Sequence, residues 1–277
     1  MATLTIDQQT SVISALVEGC SIRSTERMTG IHRDSIMRLT QRVAKGAERL
    51  LDESIRGIRC ERLELDEVWA FVGSKKANLK PRDDQKLRGD FWTWVALDPD
   101  SKLVPAYTIG KRDLATARVF ARELGRRVEG RIQVSSDKLA AYRLVMAEAW
   151  GNDVDYGRIV KRFASDFLDT GRYSPPHVVS VQRDVILGDP NPGKISTSHV
   201  ERSHGTMRGS IRRLTRLTNG FSKSLEGLKA AVALHFAHYN FVRLHGSIKT
   251  TPALAAGVAD HRWSLPEFVE WAWLRGR

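Results

Sequence analysis

The sequence predicts an α/β fold in which a mixed β-sheet, flanked by helices, lies between an N-terminal helical domain and a C-terminal helical region. The chain has 277 residues, of which 42% are hydrophobic, and this is enough to bury a core in roughly two domains. The apolar period changes from helical to extended after residue 56, and it is helical again from residue 198. We expect boundaries that give residues 1–50, 60–218 and 219–277.

The first 50 residues have the pattern of a helix-turn-helix. Apolar residues recur at helical spacing over residues 6–17, a short second helix reaches Met28, and Gly30 makes a turn. A third helix, over about 32–45, buries one face and carries basic residues on the others. The basic residues expected to contact DNA are Arg33, Arg38 and Arg42. An ordinary three-helix cap with a solvated basic face is the alternative.

Charge and composition limit the partners of the chain. Lys and Arg number 44 against 32 Asp and Glu, a formal net charge of +12, which favours a polyanionic partner such as nucleic acid. No apolar run approaches the roughly 18 residues of a membrane span, and the N-terminus lacks the pattern of a secretory signal, so we expect no membrane partner. Cys20 and Cys60 have no CxxC partner, which suits a reducing interior and disfavours a zinc ribbon.

The central region predicts a ribonuclease-H-like sheet. In chain order the predicted elements are strands at 63–72, 91–97 and 103–109, a helix at 114–128, a strand at 132–135 and a helix at 139–150. Antiparallel strands followed by a crossover give this topology, and it makes the first and fourth strands neighbours. A further strand is predicted at 158–162. Pro175, Pro176 and residues 189–193 mark loops, and the rest of 151–195 is not assigned.

A long basic loop, residues 73–90, connects the first two predicted strands. It carries four Lys and two Arg against three Asp. A tight hairpin needs far fewer residues, and long loops are usually functional or disordered. A DNA-contacting finger that includes Lys75 and Lys76 and a solvated hairpin tip are the two alternatives.

The C-terminal region predicts helices. A basic helix begins at residue 198 and runs past Leu214, and Ser222 or Ser224 begins a long helix. A tail that contains several tryptophans closes the chain. This region supplies both basic side chains and an apolar helix face.

Three carboxylates are candidates for metal chemistry. Asp66 lies within the strand LELDEVWAF, and Asp137 ends the strand in QVSSDKLAAY. A carboxylate in such a strand costs desolvation free energy unless something compensates it, and a divalent cation does so. Glu201 on HVERSHGTMRGS is the third candidate, and three acids suffice to hold two Mg²⁺ ions. Arg208, two helical turns after Glu201, would grip a phosphate.

Each acid also has a purely structural explanation. Asp66 or Glu67 would face water on a half-exposed strand, Asp137 would cap the following helix, and Glu201 would pair with Ser198 in a capping box. The structural explanations are weaker when the three acids are considered jointly than when each is considered singly, because one fold places all three candidate acids at the same end of the sheet.

Other catalytic classes have less support in the sequence. The histidine pairs His199 with His204 and His235 with His238 lack the spacing of a zinc site with nearby cysteines. The sequence contains no phosphate-binding loop, no dinucleotide-binding GxGxxG and no GxSxG of a serine hydrolase.

The motifs resemble those of DDE transposases, most closely the insertion-sequence-one (InsB-like) family of the ribonuclease-H-like integrase superfamily. The likeness lies in LDEVWAFVGSKK, in SSDKLAAY and in HVERSHGTMRGSIRRLTRLTNGFSKS, and it spans roughly residues 61–250 with gaps. It implies that Asp66, Asp137 and Glu201 form the metal-binding triad, with Arg208 as the basic residue seven positions on. Residues 151–195 are longer than in compact members, and no role for His199 follows from the sequence.

The resemblance implies a transposase that uses two Mg²⁺ or Mn²⁺ ions. One ion would activate a water that cuts DNA at the end of a mobile element, and the freed 3′-hydroxyl would then attack target DNA. The N-terminal helices would recognise the terminal inverted repeats. The DNA backbone would be held by Arg202, Arg212, Arg213 and Arg216. The likeness also implies a homodimer on double-stranded DNA in the cytoplasm of a prokaryotic cell, associated with the nucleoid.

Two other functions remain open at this point. A nuclease or Holliday-junction resolvase would share the sheet and the metals but stop at hydrolysis. A catalytically inactive helix-turn-helix regulator would bind DNA without cutting it. Strand transfer to a second DNA distinguishes a transposase from a nuclease or resolvase. DNA cleavage of any kind excludes the inactive regulator.

Overall fold

The computed structural model describes residues 4–164 and 177–277, so Pro175 and Pro176 lie outside the described residues. Its centre is a six-stranded sheet with the order β3-β2-β1-β4-β5-β6. The strands are β1 (Arg62–Val72), β2 (Gly89–Leu97), β3 (Tyr107–Gly110), β4 (Ile132–Ser136), β5 (Val154–Ala164) and β6 (His177–Leu187). β1 pairs antiparallel with β2 and parallel with β4. The predicted mixed α/β sheet is confirmed, and its order is consistent with a ribonuclease-H-like fold.

Helices precede the sheet, flank it and follow it. They are α1 (Ile6–Val17), α2 (Ile22–Thr29), α3 (Arg33–Ser54), α4 (Leu114–Gly125), α5 (Ala140–Trp150), α6 (Ser198–Ser210), α7 (Leu225–Ala237), α8 (Pro252–Ala255) and α9 (Leu265–Arg275). A π-helical turn, His238–Val242, continues α7. Within the described part of the chain, no helix combines the length and the apolar content needed to cross a membrane.

The three predicted N-terminal helices are present. Ser21 caps α2, which ends at Gly30 in the left-handed conformation with φ 69°. The end predicted for the third helix, near residue 45, is wrong, because α3 continues to Ser54 and packs on α7 and α9. At Gly46 a Cβ would lie 2.0 Å from the carbonyl oxygen of Ala272, so only glycine allows this close approach. DNA binding by these helices stays a prediction.

One continuous core joins the three predicted units. Buried apolar residues extend from α1 and α3 through the sheet to α7 and α9. On one side of the sheet the rings of Trp94, Phe120 and Tyr142 pack together. Trp94 and Tyr142 meet edge to face, and their ring centroids are 5.4 Å apart. The first and last helical regions share this core. The domain boundaries at residues 50, 60 and 218 stay predictions.

Several predicted element bounds are corrected by tertiary contacts. β3 has only four residues, because Pro105 lacks an N–H and the side-chain amide of Asn240 pairs with both backbone groups of Val104, at 3.1 and 3.0 Å. β5 is longer than the predicted strand at 158–162, and β6 was not predicted. α6 ends at Ser210, where a 3₁₀ turn replaces the helix predicted to pass Leu214.

Candidate active site

Three carboxylates meet where β4 ends beside β1. One oxygen each of Asp66, Glu67 and Asp137 lies within 4.8 Å of the others. The parallel pairing of β1 with β4 ends at Leu65 and Ser136, so Asp66 and Asp137 are the next residues on adjacent strands. Because Asp137 lies beyond the end of its strand, side chains from both faces of β1 reach it. The structure therefore brings two predicted site residues together and adds Glu67.

Burial makes this cluster electrostatically costly. Desolvation raises the pKa of Asp66 to about 7, and the charges of Glu67, Asp137 and Glu201 add to the rise, while a backbone hydrogen bond opposes it. Desolvation likewise raises the pKa of Glu67 to about 7, with Asp137 contributing in the same direction. The Glu67 side chain is only 1% exposed. Such a site favours a proton or a cation beside its carboxylates.

Arg112 supplies a cation to the cluster. Its Nε lies 3.1 Å from Glu67 Oε2, and its Nη2 lies 3.3 Å from Asp137 Oδ2. Arg112 follows β3 and directly precedes Asp113, which caps α4, so the start of that helix fixes its backbone. Sequence reasoning missed both Arg112 and the inward orientation of Glu67. Asp137 also accepts the N–H of Leu139 at 2.9 Å, which supports the turn into α5.

Glu201 lies near the cluster but outside it. Lys161 on β5 donates to its two carboxylate oxygens at 2.5 and 2.7 Å, and the Thr197 hydroxyl donates at 2.6 Å. The capping box expected with Ser198 does not form, because Thr197 is the N-cap residue of α6. The charge of Glu201 still raises the pKa of Asp66. The structure thus places the third candidate acid within electrostatic reach of the first.

Glu64 anchors the helix that carries Glu201. It is buried in β1 at 2% exposure, and its Oε2 accepts the N–H groups of His199 and Val200 at 2.7 and 3.0 Å. Its Oε1 lies 3.0 Å from His199 Nδ1. These contacts replace the missing side-chain cap of α6 and give His199 a structural role. The only sequence signal was a carboxylate two positions before Asp66, on the same strand face.

His204 and Arg208 continue the same side of α6 toward Asp66. His204 Nδ1 lies 3.4 Å from Asp66 Oδ2, and burial, helped by Arg208, lowers the pKa of His204 to about 3, so the ring is neutral. Desolvation lowers the pKa of Arg208, and Asp66 opposes this. Arg208 Nε is buried and has no hydrogen-bond partner among residues 4–164 and 177–277. Arg208 therefore has a donor to offer to an incoming oxygen anion.

The basic residues predicted to contact DNA occupy different environments. Exposed positions are held by Arg33, Arg38, Lys75, Lys76 and Arg202, whereas Arg212 and Arg213 are half-buried. Arg42 is used inside the protein: its Nε donates to the carbonyl of Trp273 at 2.9 Å, and its guanidinium lies 3.5 Å from the centre of that ring. This contact joins α3 to α9, so the position of Arg42 is explained without DNA.

The chain is similar to the protein InsB of the insertion element iso-IS1n from Shigella dysenteriae. The two are 29% identical over 163 residues, which cover 59% of this chain and 84% of InsB. No family model matches the sequence. The similarity confirms the resemblance to InsB-like proteins that the sequence motifs indicate.

Proposed function

From the similarity to InsB of an insertion element, we propose that this chain is a transposase, which cuts double-stranded DNA at the ends of a mobile element and joins the freed strand to target DNA. The observation that carries the proposal is the carboxylate cluster at the ends of β1 and β4. Asp66 and Asp137 occupy it, with Glu201 close enough to act on Asp66. The site combines carboxylates that would bind a metal with Arg208, which would bind a phosphate.

The donor set of the site fits Mg²⁺ or Mn²⁺. Its ligands are carboxylate oxygens, which hard divalent cations prefer. The raised pKa values of Asp66 and Glu67 reflect first the burial of their carboxylates and then the neighbouring negative charge, and a bound cation compensates for both. Asp66, Asp137 and Glu201 would hold two ions, with Glu67 as an additional ligand. When bound, such ions lower the pKa of the attacking water and stabilise the leaving 3′ oxygen.

The side chains around the acids prepare the site for a phosphodiester. Arg208 offers its unpaired Nε to a phosphate oxygen, and neutral His204 lies against Asp66 without adding charge. Glu64 fixes the start of α6 and thereby the position of Glu201. In the first step a water replaces the 3′ oxygen on phosphorus; in the second step the 3′-hydroxyl replaces a 3′ oxygen of target DNA. Each step exchanges one P–O bond for another, so no nucleotide energy is needed.

DNA would be held by basic groups on several elements. The N-terminal helices would read the terminal repeats through Arg33 and Arg38, and Arg202 would contact the backbone near the site. Lys75, Lys76, Arg212 and Arg213 would extend this contact. Cutting two element ends together suits a homodimer on DNA, and such chemistry would take place at the nucleoid in the cytoplasm of a prokaryotic cell.

The test uses labelled DNA from the ends of the element that encodes the chain, with Mg²⁺ or Mn²⁺. Wild type is compared with Asp66→Ala, Asp137→Ala and Glu201→Ala, and with Glu226→Gln, an exposed acid on α7, as the matched control. We expect each alanine variant to lose at least about 100-fold in cleavage rate, because several kcal/mol of transition-state stabilisation are removed. Equal cleavage by all five proteins would contradict the triad.

Glu67→Gln tests whether the additional cluster acid takes part in catalysis.

Adding unlabelled target DNA to the wild-type reaction distinguishes a transposase from a nuclease, since only a transposase joins the labelled strand to the target. DNA binding with no cleavage, unchanged in Asp66→Asn, would instead identify a DNA-binding regulator.

A further inference from the structure

A cavity of about 350 Å³ opens where the end of β1 meets the loop after α6. Its lining is aromatic and basic, unlike that of the acidic site, and we call it the aromatic–basic pocket. The residues that define it are Trp69, Phe71, Lys75, Arg216, Leu217 and Phe221. None of the lining residues in the described part of the chain is acidic. The pocket therefore suits a ligand that combines a flat apolar ring with negative charge.

Half-exposed aromatic rings form one wall of this pocket. Trp69 and Phe71 lie on the same face of β1, with ring centroids 5.7 Å apart, and Phe71 stacks on Phe221 at 4.8 Å. The N–H of Gly73 donates to the carbonyl of Ser222 at 2.8 Å, which fixes Phe221 beside the strand. Rings that served only the core would be buried, whereas these three are half-exposed. They offer a surface on which a further ring can stack.

Basic side chains border the rings. Lys75 Nζ lies 5.7 Å from the Trp69 ring centre, and Lys223 Nζ lies 3.5 Å from that of Phe221. Arg216 is exposed on the loop that forms the opposite wall. Aromatic stacking beside basic groups is the combination by which proteins bind unpaired nucleotides. An apolar peptide would gain nothing from these charges.

The pocket is joined to the acidic site. Trp69 follows Glu67 by two residues on the same face of β1. On the other wall, the Thr215 hydroxyl donates to the carbonyl of Arg208 at 3.1 Å. Arg216 is close enough to Arg208 to lower its pKa, and Asp66 acts on Arg208 from the other side. A DNA strand at the carboxylates would thus have its neighbouring nucleotide beside the pocket.

Leu217 stands exposed at the edge of this pocket. It is 67% exposed and has φ 59°, a left-handed conformation that costs free energy in a leucine. An exposed apolar side chain held by such a backbone resembles the apolar wedges that unstack DNA bases. Phe, Leu and Ile are typical wedge residues.

We propose that the aromatic–basic pocket binds one unpaired nucleobase of the DNA strand beside the cleavage site, and that Leu217 fills the place the base leaves in the duplex. Extrusion of a base costs unstacking free energy, which stacking on Trp69, beside the Phe71–Phe221 pair, would offset. This inference rests on the proposed function, since it takes DNA as the substrate.

The first test measures binding of the full chain in EDTA, so that no cleavage occurs. The probes are a labelled duplex with one unpaired thymine and the same duplex with an abasic residue at that position. Wild type should bind the thymine probe about 5- to 150-fold more tightly, the range for stacking one base. Trp69→Ala should bring the ratio close to one, while Trp69→Phe keeps it. Equal binding of both probes by wild type, or an unchanged ratio in folded Trp69→Ala, would overturn the proposal.

The second test uses a fully paired duplex that carries 2-aminopurine at the cleavage site. Binding of wild type should raise its fluorescence as the base leaves the stack. Leu217→Gly, which suits the left-handed backbone and keeps the fold, should abolish the rise, whereas Leu244→Gly, at an exposed leucine outside the pocket, should not. A rise of the same size in Leu217→Gly would refute the wedge.

The two proposals fail separately. Asp66-dependent cleavage without any preference for the unpaired base would refute the pocket and leave the transposase. A base preference without metal-dependent cleavage would refute the transposase and leave the pocket.

Discussion

Arg112 occupies the position that a divalent cation would take between two cluster acids. It contacts Glu67 at 3.1 Å and Asp137 at 3.3 Å, and it is 40% exposed, so the side chain can turn out into solvent. Any metal that binds both carboxylates must first displace it. We therefore expect Arg112→Ala to bind Mn²⁺ more tightly than wild type.

The size of the effect follows from the two ion pairs. At about 4 Å and an effective dielectric constant of about 20, each pair would be worth about 4 kcal/mol. The exposure of Arg112 brings strong solvent screening, which reduces each contact to about 0.5–1 kcal/mol. The two together give about 1–2 kcal/mol, or a roughly 5- to 30-fold gain in affinity. Loss of Arg112 also raises the pKa of Glu67, so the gain is largest above pH 7.

The assay is calorimetric titration of metal-free protein with Mn²⁺ at about pH 8 and low salt. Arg118→Ala is the matched control, because Arg118 is a comparably exposed arginine that pairs with Glu148, away from the cluster. We expect the control to bind Mn²⁺ as wild type does. If Arg112→Ala binds Mn²⁺ equally or more weakly, then Arg112 does not compete with the metal, and the assignment of the cluster as the cation site fails.

Three further predictions concern helix capping, helix packing and a buried histidine. Glu64→Ala leaves two backbone N–H groups at the start of α6, including the buried one of Val200, without an acceptor. It should lower the free energy of unfolding by about 1–3 kcal/mol, with a smaller loss for Glu64→Gln; equal losses in urea denaturation would argue against the cap. Gly46→Ala forces a Cβ against the carbonyl of Ala272 and should lower the free energy of unfolding by about 1–3 kcal/mol, seen as a lower Tm. An unchanged Tm would show that α3 and α9 do not pack together in this way. Burial lowers the pKa of His235 to about 3, so the unfolded chain binds more protons at this residue than the folded chain does below the ordinary pKa of 6.5. The contribution of His235 to stability should be complete above pH 6.5 and fall by up to about 1.4 kcal/mol per pH unit below it. The difference in urea midpoint between wild type and His235→Gln should show this slope, because the raised pKa values of Asp66 and Glu67 act on both proteins alike.

Elements defined by local pattern were predicted well. The alternation in β1 and the helical spacing in α1 are read from neighbouring residues, and the structure confirms both. The end of α3 was wrong because Gly46 disfavours a helix interior, and only its contact with α9, far away in sequence, compensates. β6 was missed because it is an edge strand with both faces largely exposed, so its side chains show no alternation.

The sequence predicted only those site residues whose proximity follows from the order of the strands. Asp66 and Asp137 meet because the first and fourth strands are parallel neighbours, which follows from the order of the elements. Glu67 was set aside since the two-residue period places it on the opposite face, and nothing in the sequence shows that β4 ends early enough for it to reach the cluster. Arg112 comes from the loop after β3 and Lys161 from β5, so their contacts depend on the completed fold.

The internal cations of the site link metal binding to DNA binding under the proposed function. Arg112 and Lys161 neutralise the acids of the metal-free chain, which lets the cluster fold without a metal. A divalent ion at the cluster would displace them, and a phosphodiester bound there would give them a new anionic partner. Each ligand therefore removes part of the free-energy cost of the other, and the coupling must be reciprocal. Arg112→Ala, which binds Mn²⁺ more tightly alone, should consequently gain less Mn²⁺ affinity from added DNA than wild type does.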